Sequence, residues 1–265
     1  MRILLALYFL FFGVGLATAG GLVDGGTATV TGVVDGDTVV LDTVIEGSKE
    51  VRLVGIQAPK LPLGRQDFKK WPLADGSKAK LEALVLGRVV TLKFGGRRMD
   101  RHGRLLAHLF VGKNTWVQGA MLSSGMARVY SFPDNRTAVA DMLTLEGEAR
   151  LAGQGIWSNF FYKLRSPDNL SKLIGTFQVI EGVVHDAATV GKWTYLNFSD
   201  DWREDFTITI DKKALRLFSG NGLDPLLLKA RAIRVRGWLK KRNGPMIEVT
   251  HPEQIEVLGD GAINR

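Results

Sequence analysis

The segment VVDGDTV at residues 33–39 decides the fold. Two runs of β-branched residues flank an Asp-Gly pair, which is the turn chemistry of a β-hairpin. Working outward, residues 28–34 and 38–41 form the two strands of this hairpin, and residues 50–56 form the next strand after a Gly-containing turn at 46–48. The sequence therefore predicts a β-meander that starts near Ala28.

The chain from 59 to 153 adds a loop, two strands and three helices. Prolines at 59, 62 and 72 exclude a regular helix or strand over residues 59–72, which are predicted to form a long loop. Apolar residues at helical spacing predict helices over 77–86, 116–124 and 138–152, and strands are predicted over 89–94 and 105–111. The expected result is a β-barrel that three helices close.

A second β-rich segment follows. Short strand-like runs at 177–184, 193–198, 206–210, 233–239, 246–249 and 255–258 alternate with Gly or Asn-Gly turns, which favours a second small barrel, OB-like in strand count. We place the first domain at 27–160, a linker at 161–175 and the second domain at 176–260. The predicted fold class is α+β, mostly β.

The composition excludes several kinds of chemistry. The 265 residues include no Cys and four His, which removes disulfide scaffolds, thiolate zinc sites and Cys nucleophiles. Metal sites built from oxygen ligands remain open. The 35 basic and 27 acidic residues give a net charge of +8, which favours a polyanionic partner and is equally explained by solubility.

The N-terminal residues are typical of a secretory signal peptide. Arg2 precedes an apolar run over 3–16, and Ala17-Thr18-Ala19 forms a small-residue cleavage site. We expect a mature protein that begins near Gly20 and is periplasmic or secreted. An uncleaved membrane anchor is the alternative.

The ordered motifs of the first segment resemble the staphylococcal nuclease-like (thermonuclease) family. They are VVDGDTV at 33–39, VRL at 51–53, the Pro59 loop, DRHGRLLA at 100–107, SGMA at 124–127 and GIW at 155–157. The resemblance implies a five-stranded OB-fold barrel with three helices. It also implies a Ca²⁺-dependent phosphodiesterase site that acts on DNA and RNA.

The resemblance implies catalytic roles for Arg52, Arg104 and Asp37. Guanidinium groups bind two phosphoryl oxygens and stabilise the charge that develops on them. Asp37 matches a metal-binding carboxylate, and Asp35 is a candidate to support it. The plainer interpretation is two surface arginines and an Asp-Gly turn. We expect the charged ends of Asp37, Arg52 and Arg104 to converge within about 10 Å.

Two positions depart from the family pattern. Gln57 and Lys60 stand where the resemblance calls for a second metal carboxylate and for a Glu that activates water. Gln57 offers only a neutral oxygen, so Ca²⁺ binding is expected to be weak or absent. Either the Lys60 ammonium lies beside Asp37 and replaces the metal charge, or Lys60 is a solvated loop cation.

A basic loop is the candidate nucleic-acid contact. Arg97, Arg98 and Arg101 suit a phosphate backbone, and His102 is a candidate phosphate contact or proton-transfer group. Tyr130 matches a ring that flanks the nucleotide in the family. Solvent exposure for the loop residues and packing for Tyr130 are the alternatives.

The second barrel carries weaker candidates for nucleic-acid binding. Its aromatic residues Trp193, Tyr195 and Phe198 are suited to stack on bases. Its basic residues suited to phosphates are Arg231, Arg234, Arg236, Lys240, Lys241 and Arg242. The alternative is a packing module or a platform for a protein partner.

Two function hypotheses follow. The first is an exported phosphodiesterase that hydrolyses DNA or RNA, weakened by Gln57 and Lys60. The second is a noncatalytic protein that binds nucleic acid or another polyanion, or that interacts with the cell envelope.

Overall fold

A computed structural model of the chain describes residues 21–201 and 205–259. The predicted signal peptide therefore lies outside the described residues. Across the two described ranges, no helix is long and apolar enough to cross a membrane.

From residue 21 onward, the first part of the chain forms eight strands and three α-helices. In chain order they are β1 (Val23–Asp35), β2 (Thr38–Ile45), β3 (Ser48–Leu53), β4 (Ile56–Gln57), α1 (Ala74–Val85), β5 (Val89–Phe94), β6 (Leu105–Val111), β7 (Thr115–Trp116), α2 (Val117–Ser123), β8 (Arg128–Val129) and α3 (Val139–Leu151).

Five of these strands close into a barrel. β1 pairs antiparallel with β2 and β5, β2 with β3, and β5 with β6, while a parallel pairing of β3 with β6 completes the ring. Alternate positions of the strands point inward, so Val39, Leu53 and Leu92 are fully buried in the core. The predicted barrel with three helices is confirmed.

Helix α1 begins earlier than the sequence predicts. It starts at Ala74, after Leu73 turns the chain with a φ of 65°, whereas the periodicity predicts a start at residue 77. Gly76 lowers the helix propensity of the first turn, and burial of Ala74 compensates for this. The helix covers the barrel through Leu81 and Val85.

The described residues of the second part of the chain form seven strands and one α-helix. They are β9 (Phe177–Val183), β10 (Asp186–Val190), β11 (Trp193–Asn197), β12 (Thr207–Asp211), α4 (Lys212–Ser219), β13 (Ala232–Arg242), β14 (Gly244–Val249) and β15 (Ile255–Val257). Single 3₁₀ turns occupy Gly155–Ser158, Phe160–Tyr162, Ser171–Leu173, Pro225–Leu228 and Pro252–Gln254.

The second sheet repeats the topology of the first. β10, β11 and β12 pair in sequence, β12 pairs parallel with β14, β14 pairs with β13, and β13 pairs with β9. Because only two residues separate β9 from β10, these pairings form a ring in which the helix again lies between the third and fourth strands. Both barrels therefore share the OB-type strand order.

The sequence does not predict β10 or α4. β10 is half-buried to exposed along its whole length, so it lacks the alternation that marks a strand. α4 has a recognisable cap, because the Asp211 carboxylate accepts a hydrogen bond from the backbone N–H of Ala214 at 2.6 Å. The helix buries only Ala214 and Phe218, and two buried positions are too few to reveal a helical period in the sequence.

A buried ionic cluster joins the two barrels. Nη2 of Arg236 on β13 lies 2.9 Å from Oε1 of Glu146 on α3 and 2.6 Å from Oε1 of Glu256 on β15. Arg236 and Glu146 are fully buried, so the predicted phosphate contact at Arg236 is wrong. Arg234 is also paired, with Glu181 and Glu256.

The buried His108 makes the first barrel sensitive to acid. Its Nδ1 accepts a hydrogen bond from Nε1 of Trp116 at 3.3 Å, and burial lowers the pKa of His108 to about 4. Protonation would place two N–H donors against each other. The folded pKa lies below the ordinary value of 6.5. The neutral imidazole therefore makes its full contribution to the free energy of unfolding above pH 6.5, and this contribution is lost as the pH falls toward 4.

We predict that His108→Gln removes part of this acid sensitivity. Between pH 6.5 and 4, the wild type should lose about 3 kcal/mol more of its free energy of unfolding than the variant. Urea denaturation across this range measures the difference. His102→Gln, which changes an exposed histidine, is the control, and equal pH slopes for the wild type and His108→Gln would contradict the assignment.

Candidate functional site

The Asp35–Asp37 turn is packed against the start of α1. An added Cβ on Gly36 would lie 2.0 Å from Oγ of Ser77 and 2.7 Å from Cβ of Ala58, so only glycine fits there. Within the turn, the backbone N–H of Asp37 donates to Oδ1 of Asp35 at 3.1 Å. The turn thus fixes two carboxylates side by side and buries both.

Asp37 is surrounded by donors. Its Oδ2 accepts from the backbone N–H of Ala58 at 2.7 Å and lies 3.2 Å from Nη2 of Arg52. Nζ of Lys60 lies 2.7 Å from both carboxylate oxygens. Burial alone would raise the pKa of Asp37, but Arg52 and Lys60 hold it at about 2. The carboxylate is therefore ionised and fully paired at neutral pH.

Lys60 occupies the position between the two carboxylates. Besides its contacts with Asp37, its Nζ lies 3.2 Å from Oδ2 of Asp35. Its side chain is only 19% exposed, so the interpretation of Lys60 as a solvated loop cation is wrong. The predicted contact with Asp37 is confirmed.

Gln57 is used elsewhere. Its Oε1 accepts two hydrogen bonds from Arg128, at 3.0 Å from Nε and 2.6 Å from Nη2. Both side chains are buried, and burial lowers the pKa of Arg128 to about 10. The prediction that Gln57 serves as a metal ligand does not fit this geometry, because the oxygen that a metal would need is already held by a guanidinium.

The donor set does not fit Ca²⁺. This ion takes six to eight oxygen ligands, several of them carboxylates. The turn supplies Asp35 and Asp37, with an ammonium bound between them. Within residues 21–201 and 205–259, no group of three or more His, Cys, Asp or Glu residues is placed to hold a metal ion. A cation would have to displace Lys60 in order to bind.

Arg52 is largely occupied by the backbone. Nη1 donates to the carbonyl of Leu53 at 2.6 Å, and Nη2 donates to the carbonyl of Ile56 at 2.6 Å. Arg52 also pairs with Asp37, and its side chain is only 12% exposed. These contacts fix the loop that follows β3. Arg52 presents positive charge outward but keeps few donors for a ligand.

Asp100 organises the basic loop. Its Oδ2 accepts from Nε of Arg104 at 2.8 Å, and its Oδ1 accepts from the backbone N–H groups of His102 at 2.8 Å and Arg104 at 3.0 Å. Burial would raise the pKa of Asp100, but these hydrogen bonds lower it. Gly103 completes the turn with a φ of +78°. The sequence reading missed this role of Asp100, although Asp at the first position of a turn with Gly at the fourth, as in Asp100 and Gly103, is a turn signal.

A cavity of about 420 Å³ lies between Arg52 and the basic loop. Its charged and aromatic lining residues are Arg52, Arg97, Asp100, Arg101, His102, Arg104, Tyr130, Phe132 and Asp134. Four arginines face two carboxylates, so the cavity favours an anion. Of the three residues expected to converge, Arg52 and Arg104 line the cavity. Asp37 is not among its lining residues but contacts Arg52, which is one of them.

Arg98 does not belong to this cavity. Its guanidinium pairs with Glu46 and lies 4.6 Å from the ring centroid of Phe94. The predicted phosphate contact at Arg98 is therefore not supported by its position. Arg128 was missed by the sequence reading, because a buried arginine on a two-residue strand leaves no pattern to detect.

A second cleft of about 450 Å³ lies on the outer face of the second barrel. Tyr195 and Arg242 line it together with Val190, Thr207 and Met246. Among the described residues that line it, Arg242 alone is charged, so these residues offer no acid–base pair and little positive charge. The basic cavity of the first barrel is the stronger candidate site.

Comparison with known proteins agrees with this fold. Residues 50–159 match the family model described as "Staphylococcal nuclease homologue", which confirms the resemblance; the VVDGDTV turn precedes the matched range. Endonuclease YncB of Bacillus subtilis (strain 168) is 37% identical over 90 residues, which are 33% of this chain and 42% of that protein. The match thus spans less than half the length of this curated relative.

Proposed function

We propose that the protein binds nucleic acid and holds the phosphodiester backbone in the basic cavity of its staphylococcal nuclease-like barrel. One observation carries the proposal: Arg97, Arg101 and Arg104 line the same cavity as Arg52 and the ring of Tyr130. Guanidinium groups bind phosphate oxygens in fork geometry, and an aromatic ring beside them suits a base.

The hydrogen bonding separates two kinds of arginine. Arg52 donates mainly to backbone carbonyls and shapes the cavity wall. Arg101 is exposed and donates only locally, from Nε to Nε2 of His102 at 3.1 Å, while Arg104 is half-buried and held by Asp100. Arg101 and Arg104 are therefore the groups that we expect to contact phosphate.

We predict that Arg101→Ala combined with Arg104→Ala lowers the affinity for a labelled oligonucleotide at least tenfold. Two lost phosphate contacts should also reduce the slope of log affinity against log salt by about 1.4 for a single strand. Fluorescence anisotropy at several salt concentrations measures both quantities. Arg88→Ala, an exposed arginine that does not line the cavity, is the matched control; equal losses in both proteins would refute the proposed site.

Phosphodiester hydrolysis is the second candidate function. It is favoured because Arg52 and Arg104, which the resemblance treats as catalytic, line one cavity, and because the relative is named an endonuclease. Against it, Lys60 occupies the position of the water-activating Glu, and a protonated ammonium does not accept a proton. Loss of a general base costs about 10²- to 10⁴-fold in rate.

The same oligonucleotides separate the two candidates. Cleavage is followed over time in Ca²⁺ and in EDTA, with Arg52→Ala as the inactive reference. Binding without cleavage above this reference supports a binding protein. Cleavage well above it supports the hydrolase, and a failure to bind any oligonucleotide would overturn both functions.

A further inference from the structure

Four aromatic side chains form a continuous strip across the junction of the two barrels. Phe132 and Tyr130 of the first barrel have ring centroids 4.9 Å apart. Tyr130 lies 5.1 Å from Phe177 of the second barrel, and Phe177 lies 6.2 Å from Trp238 on β13. We call these four residues the aromatic strip.

Both ends of the aromatic strip face solvent. Phe132 is 45% exposed and Trp238 is 41% exposed, whereas Leu239, the next residue on β13, is buried. The ring of Trp238 is held in place, because its Nε1 donates to the hydroxyl of Tyr130 at 3.0 Å. A hydrogen bond between barrels thus fixes an exposed indole.

The aromatic strip continues the basic cavity. Tyr130 and Phe132 line the cavity that holds Arg101 and Arg104, and they also line a cleft of about 230 Å³ between the barrels. Phe177, Trp238 and the ion pair of Lys240 with Glu248 lie on the second-barrel side of that cleft. Phe177 is buried, so the accessible aromatic faces are those of Phe132, Tyr130 and Trp238, and they adjoin the positive charge of the basic cavity.

We infer that the two barrels together bind single-stranded nucleic acid, with phosphates in the basic cavity and unpaired bases stacked on the exposed rings of the aromatic strip. This inference rests on the proposed function and specifies its substrate class. Bases of a duplex are stacked inside the helix, so only a single strand presents faces to aromatic side chains. The charge pattern also favours a polyanion over an apolar peptide, because the strip adjoins four arginines.

The test replaces Trp238 by alanine in the full chain. Affinity for a single-stranded oligonucleotide should fall roughly five- to hundredfold, which is the usual effect of losing one stacked base. Affinity for a duplex of the same sequence should stay within about twofold. Trp238→Phe should retain most of the single-strand affinity, and Phe160→Ala, which changes an exposed aromatic residue outside the cleft, is the control.

Each outcome decides the inference. If Trp238→Ala binds the single strand as tightly as the wild type, or loses single-strand and duplex affinity equally, the aromatic strip is not a base-stacking surface. If Trp238→Ala melts well below the wild type, Phe132→Ala replaces it as the test variant, because Phe132 is exposed on the first barrel. The proposed function fails separately, when neither nucleic acid binds the wild type or when Arg101→Ala/Arg104→Ala has no effect. Binding of proteins but not oligonucleotides would overturn both.

Discussion

Replacing Glu146 by alanine is expected to lower the free energy of unfolding by about 3 to 5 kcal/mol, the usual cost of breaking a buried ion pair. Glu146 on α3 is fully buried between the barrels. It accepts hydrogen bonds from Nη1 of Arg236 at 3.0 Å and from the backbone N–H of Val129 at 2.5 Å, and it pairs with Arg150 at 3.1 Å. Urea denaturation measures the loss.

The size of this effect follows from what the variant leaves behind. Burial opposes ionisation of Arg236, yet Glu146 and Glu256 raise its pKa above the ordinary arginine value. Without Glu146, one of its two carboxylate partners is gone, and the buried N–H of Val129 has lost its acceptor. Water cannot easily replace either contact, so the desolvation cost of both groups remains.

Matched variants separate the charge from the hydrogen bond. Glu148→Ala removes an exposed glutamate from the same helix and should change the free energy of unfolding by less than about 0.5 kcal/mol. Glu146→Gln keeps an acceptor for Val129 but removes the charge, so its loss should lie between the two. A Glu146→Ala protein as stable as Glu148→Ala would contradict the role of the cluster in joining the barrels.

The burial of this cluster cannot be predicted from the sequence, whereas the strands of the first barrel can. The strands of the first barrel are predictable because β-branched runs and Asp-Gly turns are local signals, and β5 and β6 have the predicted bounds. Glu146 is followed by Arg150 four residues later, a spacing that is typical of a solvent-exposed helix face. Its partner Arg236 is 90 residues away in sequence, so no local pattern reveals the burial.

In the candidate site, too, the sequence predicts some contacts and not others. The contact of Lys60 with Asp37 is predictable, because the resemblance places both residues around one site and an ammonium is attracted to a carboxylate. The hydrogen bonds from Arg128 to Gln57 join residues 71 positions apart, and neither residue type is expected to be buried. The aromatic strip is equally inaccessible to sequence reasoning, because Tyr130 and Trp238 meet only when the barrels dock.

Replacing Lys60 by glutamate is expected to create a Ca²⁺ site that the wild type lacks. The change removes the ammonium that lies 2.7 Å from Asp37 and adds a third carboxylate near Asp35 and Asp37. A weak site with a Kd of about 0.1 mM would contribute roughly 2.7 kcal/mol at about 10 mM Ca²⁺, which raises Tm by roughly 5 to 10 °C. Differential scanning calorimetry in Ca²⁺ and in EDTA measures the shift.

The controls follow from the geometry of the site. Lys69→Glu makes the same charge change on an exposed residue of the same loop and should show no Ca²⁺-dependent shift in Tm. Adding Gln57→Asp to Lys60→Glu should increase the shift only slightly, because an aspartate at position 57 would pair with Arg128. In EDTA, Lys60→Glu should be less stable than the wild type, since three carboxylates then share only the positive charge of Arg52. A Ca²⁺-dependent rise of Tm in the wild type, or none in Lys60→Glu, would show that the Lys60 ammonium does not take the place of the metal ion.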